Sequence, residues 1–366
     1  MLRLTKIAVP MTAAVLIAGG VTASASARSA ASQSDFWTAS VTYDSGVYKV
    51  SWSSSDPRVT IVANHDRQSA DTGSVVATGK ASGTARISNL SGDARWYFHL
   101  QGSHGDSVVV ARQSLGLAHD PNLRDLGGYR TEDGKWVKEG LLFRGGRMSD
   151  LTAAESASLT ALDVAYDIDM RTPGEVTHHP DVVPAGATYI ARSVLLPDDP
   201  AATTVIPGLD DSDSLRTFGY STGVYQSLYL ELGGEPSETY AYRQIFGDIL
   251  AADGSPVLYH CTAGNDRTGW ASFVLLKLLG VPEKTALNDY TASNFYGNDL
   301  LQSYNDYYAS LGFTAKQSDF FLKKAYIATA LRSAEMVYGS FDNYVRLGLG
   351  LNSTDIAKLR ATYLSS

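Results

Sequence analysis

Residues 256–270 read PVLYHCTAGNDRTGW, and this stretch decides the fold of the larger part of the chain. The run PVLYH is short and apolar, which predicts a buried strand. The run TGWASFVLLKLLG, residues 268–280, predicts an apolar helix that ends at Gly280. The order is therefore strand, then the loop HCTAGNDR, then helix.

This order places Cys261, the single cysteine of the chain, at the carboxyl end of a strand and against a helix N-terminus. Open parallel sheets bind ligands outside the carboxyl ends of their strands. A helix N-terminus offers free backbone N–H groups and the positive end of a dipole, which suits phosphate. The same field favours the thiolate, so Cys261 is a candidate nucleophile rather than a buried, inert thiol.

The rest of the loop also suits a phosphate group. Arg267 can return to the loop mouth, where its planar guanidinium can grip two phosphate oxygens or form a surface ion pair. Gly264 lets the loop turn with its amides inward. Thr268 can donate a hydrogen bond to the thiolate, cap the helix, or do both. The predicted phosphate-binding residues are Thr262, Ala263, Gly264, Asn265, Asp266, Arg267, Thr268 and Arg171.

An ester oxygen that leaves needs a proton, and two aspartates are candidate donors. Asp169 lies near the carboxyl end of the predicted strand DVAYDIDMR and is expected to face the same crevice as Cys261. Asp266 lies inside the loop and could act as acid or base. Either carboxylate could instead be structural. Arg171 is expected to pair with a loop acid.

Four further basic residues belong to the same neighbourhood by sequence. His260 is expected to organise the loop rather than act as a base. The arginines Arg124, Arg144 and Arg147 could add positive potential around the pocket, or could be solvated charges.

Strands alternate with helices from about residue 119 to the C-terminus, which predicts an α/β domain over 119–366 with a mainly parallel sheet flanked by helices. The region 197–223 is rich in Pro, Gly, Asp and Ser and is interpreted as a long loop, a lid or an insertion. The other predicted elements are a helix opened by the Thr152–Glu155 capping box, a helix at Glu238–Ala251 and a last helix near Thr354–Leu364.

Four segments carry a resemblance to a known family. HCTAGNDRTG resembles the signature loop of the protein tyrosine phosphatase superfamily and, within it, the HCxxGKDRTG loop of the bacterial atypical tyrosine and phosphoinositide phosphatases. The segments NLRDLGGYRT…GLLFRGGRMSDLT, DIDMRTPGEV and YVRLGLGLNSTDIAKLRATYL resemble the start, the D-L-R-x-x-x-E stretch and the C-terminus of that family. The resemblance covers about 119–366. The family usually has lysine where this chain has Asn265, which puts a phosphoinositide preference in doubt.

The resemblance implies a protein tyrosine phosphatase-like fold with an active-site aspartate at Asp169. It also implies a phosphatase that hydrolyses phosphomonoesters through a cysteinyl-phosphate on Cys261, with Arg267 stabilising the transition state. Phosphotyrosine in a protein is the first expected substrate, followed by phosphoserine or phosphothreonine and by phosphoinositides. No cofactor is expected. No metal is expected either, because His178 and His179 form an isolated pair without a spaced carboxylate.

Three other interpretations of the sequence compete with this one. The run GYSTG, 219–223, fits the nucleophile elbow of serine hydrolases and would make Ser221 an esterase nucleophile. That elbow requires a strand before it, and DDSDSLRTF is loop-like. A catalytically weak phospho-ligand-binding protein would be expected to lack Cys261 or Arg267. A sulfurtransferase also uses a cysteine loop, but the five residues before Arg267 fit phosphate better.

The N-terminal third has a different character. Residues 1–27 have the basic start, apolar run and small-residue cleavage pattern of a secretory signal peptide, with cleavage after Ala27. This predicts a secreted protein without a stable membrane anchor, and 28–34 form a flexible leader. Seven short alternating runs over 35–118 are separated by turn signals, among them Asp56-Pro57 and the Ala-Ser-Gly run that ends at Gly83. They predict a small all-β sandwich with the rhythm of a fibronectin-III domain. Its core is predicted to contain Trp37, Trp52 and Trp96.

Composition excludes several classes of protein. The 366 residues are 44% hydrophobic and carry 38 acidic against 30 basic side chains, a formal net charge of −8. Such a chain is too apolar for a disordered protein, and its sign of charge disfavours nucleic-acid binding. A single cysteine excludes an internal disulfide framework and a Cys-rich zinc site.

Overall fold

The computed structural model describes residues 36–91, 94–194, 205–206, 209–210, 236–310, 312 and 321–365. The predicted signal peptide over 1–27, the leader over 28–34, Ser221 and most of the predicted loop 197–223 lie outside these residues. Within the described part of the chain, no helix has the length and apolar character needed to cross a membrane.

The strands and helices follow one another in a β-rich N-terminal part and a mixed C-terminal part. The strands are β1 (Phe36–Asp44), β2 (Val47–Asn64), β3 (Ser74–Ile87), β4 (Tyr97–Gly102), β5 (Ser107–Ala111), β6 (Arg124–Asp125), β7 (Leu142–Gly145), β8 (Tyr166–Asp169), β9 (Thr188–Ala191), β10 (Val205–Ile206), β11 (Leu209–Asp210) and β12 (Val257–His260). The helices are α1 (Ala153–Thr160), α2 (Pro173–His178), α3 (Pro236–Ala251), α4 (Arg267–Leu278), α5 (Glu283–Tyr296), α6 (Asn298–Ser310), α7 (Lys324–Tyr338), α8 (Phe341–Asn343) with a π-helical turn at Tyr344–Gly348, and α9 (Ser353–Tyr363).

The C-terminal part is built on a sheet with strand order β6-β7-β12-β8-β9. The four strands from β7 to β9 in that order are parallel, and β6 pairs antiparallel at the edge. All four residues of the central strand β12 are buried, which explains its unbroken apolar run. The predicted α/β fold with a mainly parallel sheet is confirmed.

Strand register sets the position of the loop. His260, the last residue of β12, pairs with Gly145 at the end of β7 and with Asp169 at the end of β8. The carboxyl ends of three strands therefore meet at one edge. Cys261 follows β12 directly and lies between the ends of its two neighbours.

The helix that follows the loop lies in the core. Eleven of the twelve residues of α4 are buried, and only Lys277 reaches solvent. The helix stops before Gly280, which has a φ of +87°. This conformation suits glycine and ends the helix as predicted. The Thr152–Glu155 capping box of α1 is also present, and its Thr152 side chain accepts from the Glu155 amide.

The N-terminal part differs from its prediction. Five strands form one antiparallel sheet rather than two facing sheets, so the fibronectin-III-like sandwich is not observed. The 18-residue strand β2 pairs with β3 along one edge, and with β1 and then β4 along the other. An isolated bridge from Val41 to Arg112 brings the two ends of the sheet together.

Two signals interpreted as turns lie inside strands. Asp56-Pro57 is part of β2, at a register shift between Ser53 and Arg58, where a proline is tolerated. The sequence around Gly83 continues β3, because its glycines make room for an indole. A Cβ at Gly79 or Gly83 would lie 2.3 or 2.7 Å from the Trp52 ring. Seven predicted runs thus become five strands.

The predicted tryptophan core is correct only in part. Trp52 is buried and Trp96 packs against the core, but Trp37 is 55% exposed. Trp136, from the C-terminal part, completes this core. The sheet also meets the α/β part through Arg95, whose guanidinium lies 2.5 Å from the Asp125 carboxylate. The two parts share packing and a buried ion pair.

Candidate active site

The loop between β12 and α4 is shaped by close contact with the end of β7. Gly264 has a φ of +70°, and a Cβ there would lie 2.5 Å from the carbonyl oxygen of Gly145. Only glycine combines that backbone with that approach. Cys261 is fully buried at the base of the loop, and Asp266 opens α4, its carbonyl accepting from the Trp270 amide at 2.9 Å.

Three consecutive carbonyls of the loop are held from outside. The contacts are Arg147 N to Thr262 O at 2.9 Å, Asn122 Nδ2 to Ala263 O at 2.8 Å and Arg144 Nη2 to Gly264 O at 2.7 Å. In a trans peptide the C=O and the following N–H point in opposite directions. The amides of residues 263–265 are therefore turned toward the inside of the loop, as expected of an anion-binding concavity.

Arg267 is fixed by a bidentate ion pair. Its Nη1 and Nη2 donate to the two Glu175 carboxylate oxygens at 2.8 and 2.7 Å, and the Thr262 hydroxyl donates to the same carboxylate at 2.7 Å. Burial opposes ionisation of Glu175, but Arg267 outweighs it and lowers the carboxyl pKa to about 2. Glu175 was not among the predicted site residues. The sequence feature that could have identified Glu175 is its place as the last residue of the D-x-R-x-x-x-E motif.

Asp169 lies in a buried ion pair at the carboxyl end of β8. Arg171 Nη2 donates to its carboxylate at 2.8 Å, and the Tyr189 hydroxyl donates at 2.8 Å. Burial opposes ionisation, but His260 and Arg171 hold the pKa of Asp169 far below its usual range. A carboxylate in this state suits an acceptor and not a proton donor. Arg171 is correspondingly buried and pairs with Asp169 and Asp181, whereas it was expected to pair with an acid of the loop.

His260 completes what we call the β8-side cluster. Its Nε2 lies 3.2 Å from Asp167 and 3.4 Å from Asp181, and its Nδ1 lies 3.3 Å from the Cys261 carbonyl oxygen. Burial lowers the pKa of the imidazole, but the surrounding aspartates outweigh it and raise the pKa to about 10. His260 is therefore a cation beneath the loop, in line with an organising role. The β8-side cluster consists of Asp167, Asp169, Arg171, Asp181 and His260.

Part of the β8-side cluster has the composition of a metal site. Asp169, Asp181 and His260 offer ligand atoms that lie within 4.8 Å of one another. The Arg171 guanidinium contacts both carboxylates, and the imidazole is itself protonated. Side-chain cations already supply the positive charge that an ion would bring.

A second buried group, the β7-side cluster, consists of Arg124, Arg144 and Asp289. The two arginines were expected to add positive potential around the pocket or to be solvated charges. Both are fully buried, so neither is a solvated charge. Arg144 Nη1 lies 2.5 Å from one Asp289 oxygen, and Arg124 Nε lies 3.3 Å from the other. Burial opposes ionisation of Asp289, but the two arginines hold its pKa below the usual value. Arg147 differs, because it is 28% exposed and 3.6 Å from Asp150.

Asn265 in the loop and Thr268 in the first turn of α4 each contact a segment beside the loop. The Asn265 side chain is buried, and its oxygen accepts from Asn122 Nδ2 at 3.2 Å. It thus ties the loop to the segment before β6, where a lysine would bring charge. The contact found for the Thr268 hydroxyl is to the Gly145 carbonyl, at 3.5 Å.

Asp120 is a further buried acid beside the loop that the sequence did not single out. Its carboxylate accepts from the Gly146 amide at 2.8 Å. Burial is the main reason that its pKa is raised to about 7. The segment that contains Asp120 and Asn122 therefore supports both β7 and the loop.

Comparison with known proteins agrees with this geometry. The model of the tyrosine phosphatase family matches residues 115–365. A candidate tyrosine-protein phosphatase of Cupriavidus necator is 31% identical over 261 residues, covering 70% of this chain and 90% of that protein. A tyrosine-protein phosphatase of Nostoc commune is 32% identical over 146 residues, covering 40% of this chain and 46% of that protein.

A third relative matches this chain over nearly its own whole length. The triple specificity protein phosphatase PtpB of Mycobacterium tuberculosis is 28% identical over 272 residues, covering 66% of this chain and 96% of that protein. With its parallel sheet, cysteine loop and family match over 115–365, the chain belongs to the tyrosine phosphatase family and is a phosphatase that acts on phosphorylated substrates.

Proposed function

We propose that the protein hydrolyses phosphomonoesters through a cysteinyl-phosphate on Cys261. The observation that carries the proposal is the set of three outward-held carbonyls, which turns the amides of residues 263–265 inward beside Cys261. Arg267, oriented by its bidentate ion pair with Glu175, brings a guanidinium charge to the same loop. Such donors stabilise the equatorial oxygens of a phosphoryl group in the transition state.

The reaction has two displacement steps. The Cys261 thiolate attacks phosphorus, the S–P bond forms and the ester P–O bond breaks, and the leaving oxygen takes a proton from an acid. Water then attacks the cysteinyl-phosphate and gives its proton to the resulting carboxylate. The S–P bond breaks, inorganic phosphate departs and the thiolate is restored.

Asp266 is the acid and base in this proposal. Of the two sequence candidates, Asp169 is an ionised partner of Arg171 and Tyr189 and has no proton to give. Asp266 lies in the loop itself, one residue before Arg267 and at the start of α4. That position is within the segment that surrounds the reacting phosphoryl group.

Phosphotyrosine in a protein is the proposed first substrate, followed by phosphoserine or phosphothreonine and by phosphoinositides. Three matched relatives carry tyrosine or protein phosphatase in their names, and one is named for triple specificity. Position 265 is a neutral asparagine hydrogen-bonded to Asn122, so it brings no cation for a multiply phosphorylated headgroup.

A substrate panel tests the proposal. Release of phosphate is measured with phosphotyrosine, phosphoserine and phosphothreonine peptides and with phosphoinositides, for wild type, Cys261→Ser and Ser221→Ala. We expect release from phosphotyrosine that Cys261→Ser abolishes and Ser221→Ala leaves intact. Binding without turnover would indicate a phospho-ligand-binding protein, and loss of activity in Ser221→Ala alone would favour an esterase.

We further propose that the protein is exported after cleavage behind Ala27. The support is the basic start, apolar run and Ala25-Ser26-Ala27 pattern. N-terminal sequencing of protein recovered from the medium of an expressing bacterium should begin at Arg28. Retention of Met1 in a cell-associated protein would contradict export.

A further inference from the structure

We propose that Asp289, on α5, is a positioning residue that sets the phosphate-binding loop through two arginines and one amide. Its carboxylate accepts hydrogen bonds from Arg124, Tyr129 and Arg144. Its two carboxylate oxygens face Arg144 and Arg124 separately, at 2.5 and 3.3 Å. The inference rests on the proposed function only in that the loop must bind phosphate.

The first arm runs through Arg144. This arginine shares its guanidinium between Asp289, through Nη1, and the Gly264 carbonyl, through Nη2 at 2.7 Å. The planar fork fixes both contacts together, so holding one end aims the other. Asp289 thereby directs the donor that turns the Gly264 carbonyl outward and the next amide inward.

The second arm runs through Arg124 to Asn122. Arg124 Nη1 donates to the Asn122 side-chain oxygen at 2.5 Å and to its backbone carbonyl at 3.0 Å. An amide side chain can present either its oxygen or its nitrogen to a neighbour. Because the guanidinium only donates, it selects the Asn122 oxygen, and the nitrogen is left to face Ala263 and Asn265.

The two arms act on neighbouring peptides. One holds the Ala263 carbonyl and the other the Gly264 carbonyl, and the two meet at a single carboxylate. Asp289 also accepts from the Tyr129 hydroxyl at 3.0 Å, so it is fixed independently of the arginines. The arrangement orients loop amides before a ligand arrives, which is the condition for strong anion binding without reorganisation.

The test compares Asp289→Asn with a matched control, Asp125→Asn. Asp125 is also buried and paired with an arginine, Arg95, but its contacts are to Gly127 and Gly140 and not to the loop. The affinity for inorganic phosphate is measured by calorimetry and by product inhibition, at a temperature where each variant is folded. We expect Asp289→Asn to weaken phosphate binding at least roughly tenfold, the scale of one charge-assisted hydrogen bond. Asp125→Asn should retain wild-type affinity while losing thermal stability.

A second variant protects the test against misfolding. Asn122→Asp is isosteric and keeps an acceptor for Arg124, but it removes the donor to Ala263. It should fold and still weaken phosphate binding by a similar factor. Wild-type affinity in folded Asp289→Asn overturns the inference. If Asp289→Asn does not fold, wild-type affinity in Asn122→Asp overturns it. A wild type that binds phosphate without turnover would overturn the proposed function and leave this comparison valid.

Discussion

Two buried charge clusters flank the loop, and they differ in which sign of charge is in excess. The β8-side cluster has three aspartates against Arg171 and His260, whereas the β7-side cluster has Arg124 and Arg144 against Asp289. The acid-rich cluster keeps an imidazole charged beneath Cys261. The cation-rich cluster has more donors than its carboxylate needs, and one of them, on Arg144, reaches the Gly264 carbonyl of the loop. In a chain with a net charge of −8, the proposed anion site is thus supported by buried neighbours rather than by surface charge.

The largest expected effect separates the two aspartates that the sequence left open. Asp266→Asn should lower kcat by about 10²–10⁴, because a general acid is lost. The loss should be greater for phenyl phosphate, whose leaving group is poor, than for p-nitrophenyl phosphate. Asp169→Asn breaks an ion pair of the β8-side cluster and should affect both substrates equally. A leaving-group-dependent loss in Asp169→Asn would move the acid to that residue.

The next effect concerns the carboxylate that orients Arg267. Glu175→Gln keeps the size of the side chain but removes the charge, and kcat should fall by about 10²–10³ as Arg267 loses its fixed geometry. Glu155→Gln is the matched control, since both glutamates close a capping box with a threonine three residues earlier. Equal losses in the two variants would mean that helix capping, not Arg267, explains the effect.

A smaller effect is the pH dependence that the β8-side cluster confers. Burial lowers the pKa of His260, but the surrounding aspartates outweigh it and raise this pKa from the ordinary 6.5 to about 10 in the folded protein. Its contribution to stability is therefore complete below about pH 6.5 and declines as pH rises, disappearing above about pH 10. The difference in free energy of unfolding between wild type and His260→Asn, from urea titrations, should shrink over that window. A difference that stays constant with pH would mean that the imidazole is neutral.

The smallest expected effect is the pH dependence of stability that Asp120 causes beside the β7 end of the loop. Here burial destabilises the charged group, whereas the charge of His260 is stabilised. Burial raises the pKa of Asp120 to about 7 from 3.8, so the folded state binds more protons than the unfolded state between these values. Asp120 therefore costs stability progressively from about pH 4 to about pH 7. Asp120→Asn should gain stability relative to wild type as pH rises through this range. Parallel pH curves would contradict the raised pKa.

The loop was predictable because its signals are local. A buried strand, Cys261, Gly264 and Arg267 lie within a dozen residues of sequence, and the strand–loop–helix order follows from hydrophobic pattern alone. The partners of these residues could not be predicted from local sequence. Glu175 meets Arg267 and Thr262 only in the folded chain, and Asp289 is linked to the loop only through arginines. Nothing in the chain near Arg124 or Arg144 indicates that they are buried.

In the N-terminal sheet, local sequence signals predicted the wrong structure. Gly83 and Pro57 were interpreted by their usual local meaning as turn residues. In the fold, the glycines of β3 make room for the Trp52 ring and the proline occupies an irregularity in β2. Tertiary contact overrode the local signal, which is why two predicted turns became strand.

The central claim is that the phosphoryl group is transferred to the sulfur of Cys261 before water releases it. Rapid acid quench of the enzyme with excess phosphotyrosine peptide, followed by mass spectrometry of the peptide that contains residue 261, tests it directly. The account predicts one phosphoryl group on Cys261 during turnover, and neither phosphoryl group nor phosphate release in Cys261→Ser. Phosphate release that persists in Cys261→Ser, or a phosphoryl group found on another residue, would contradict it.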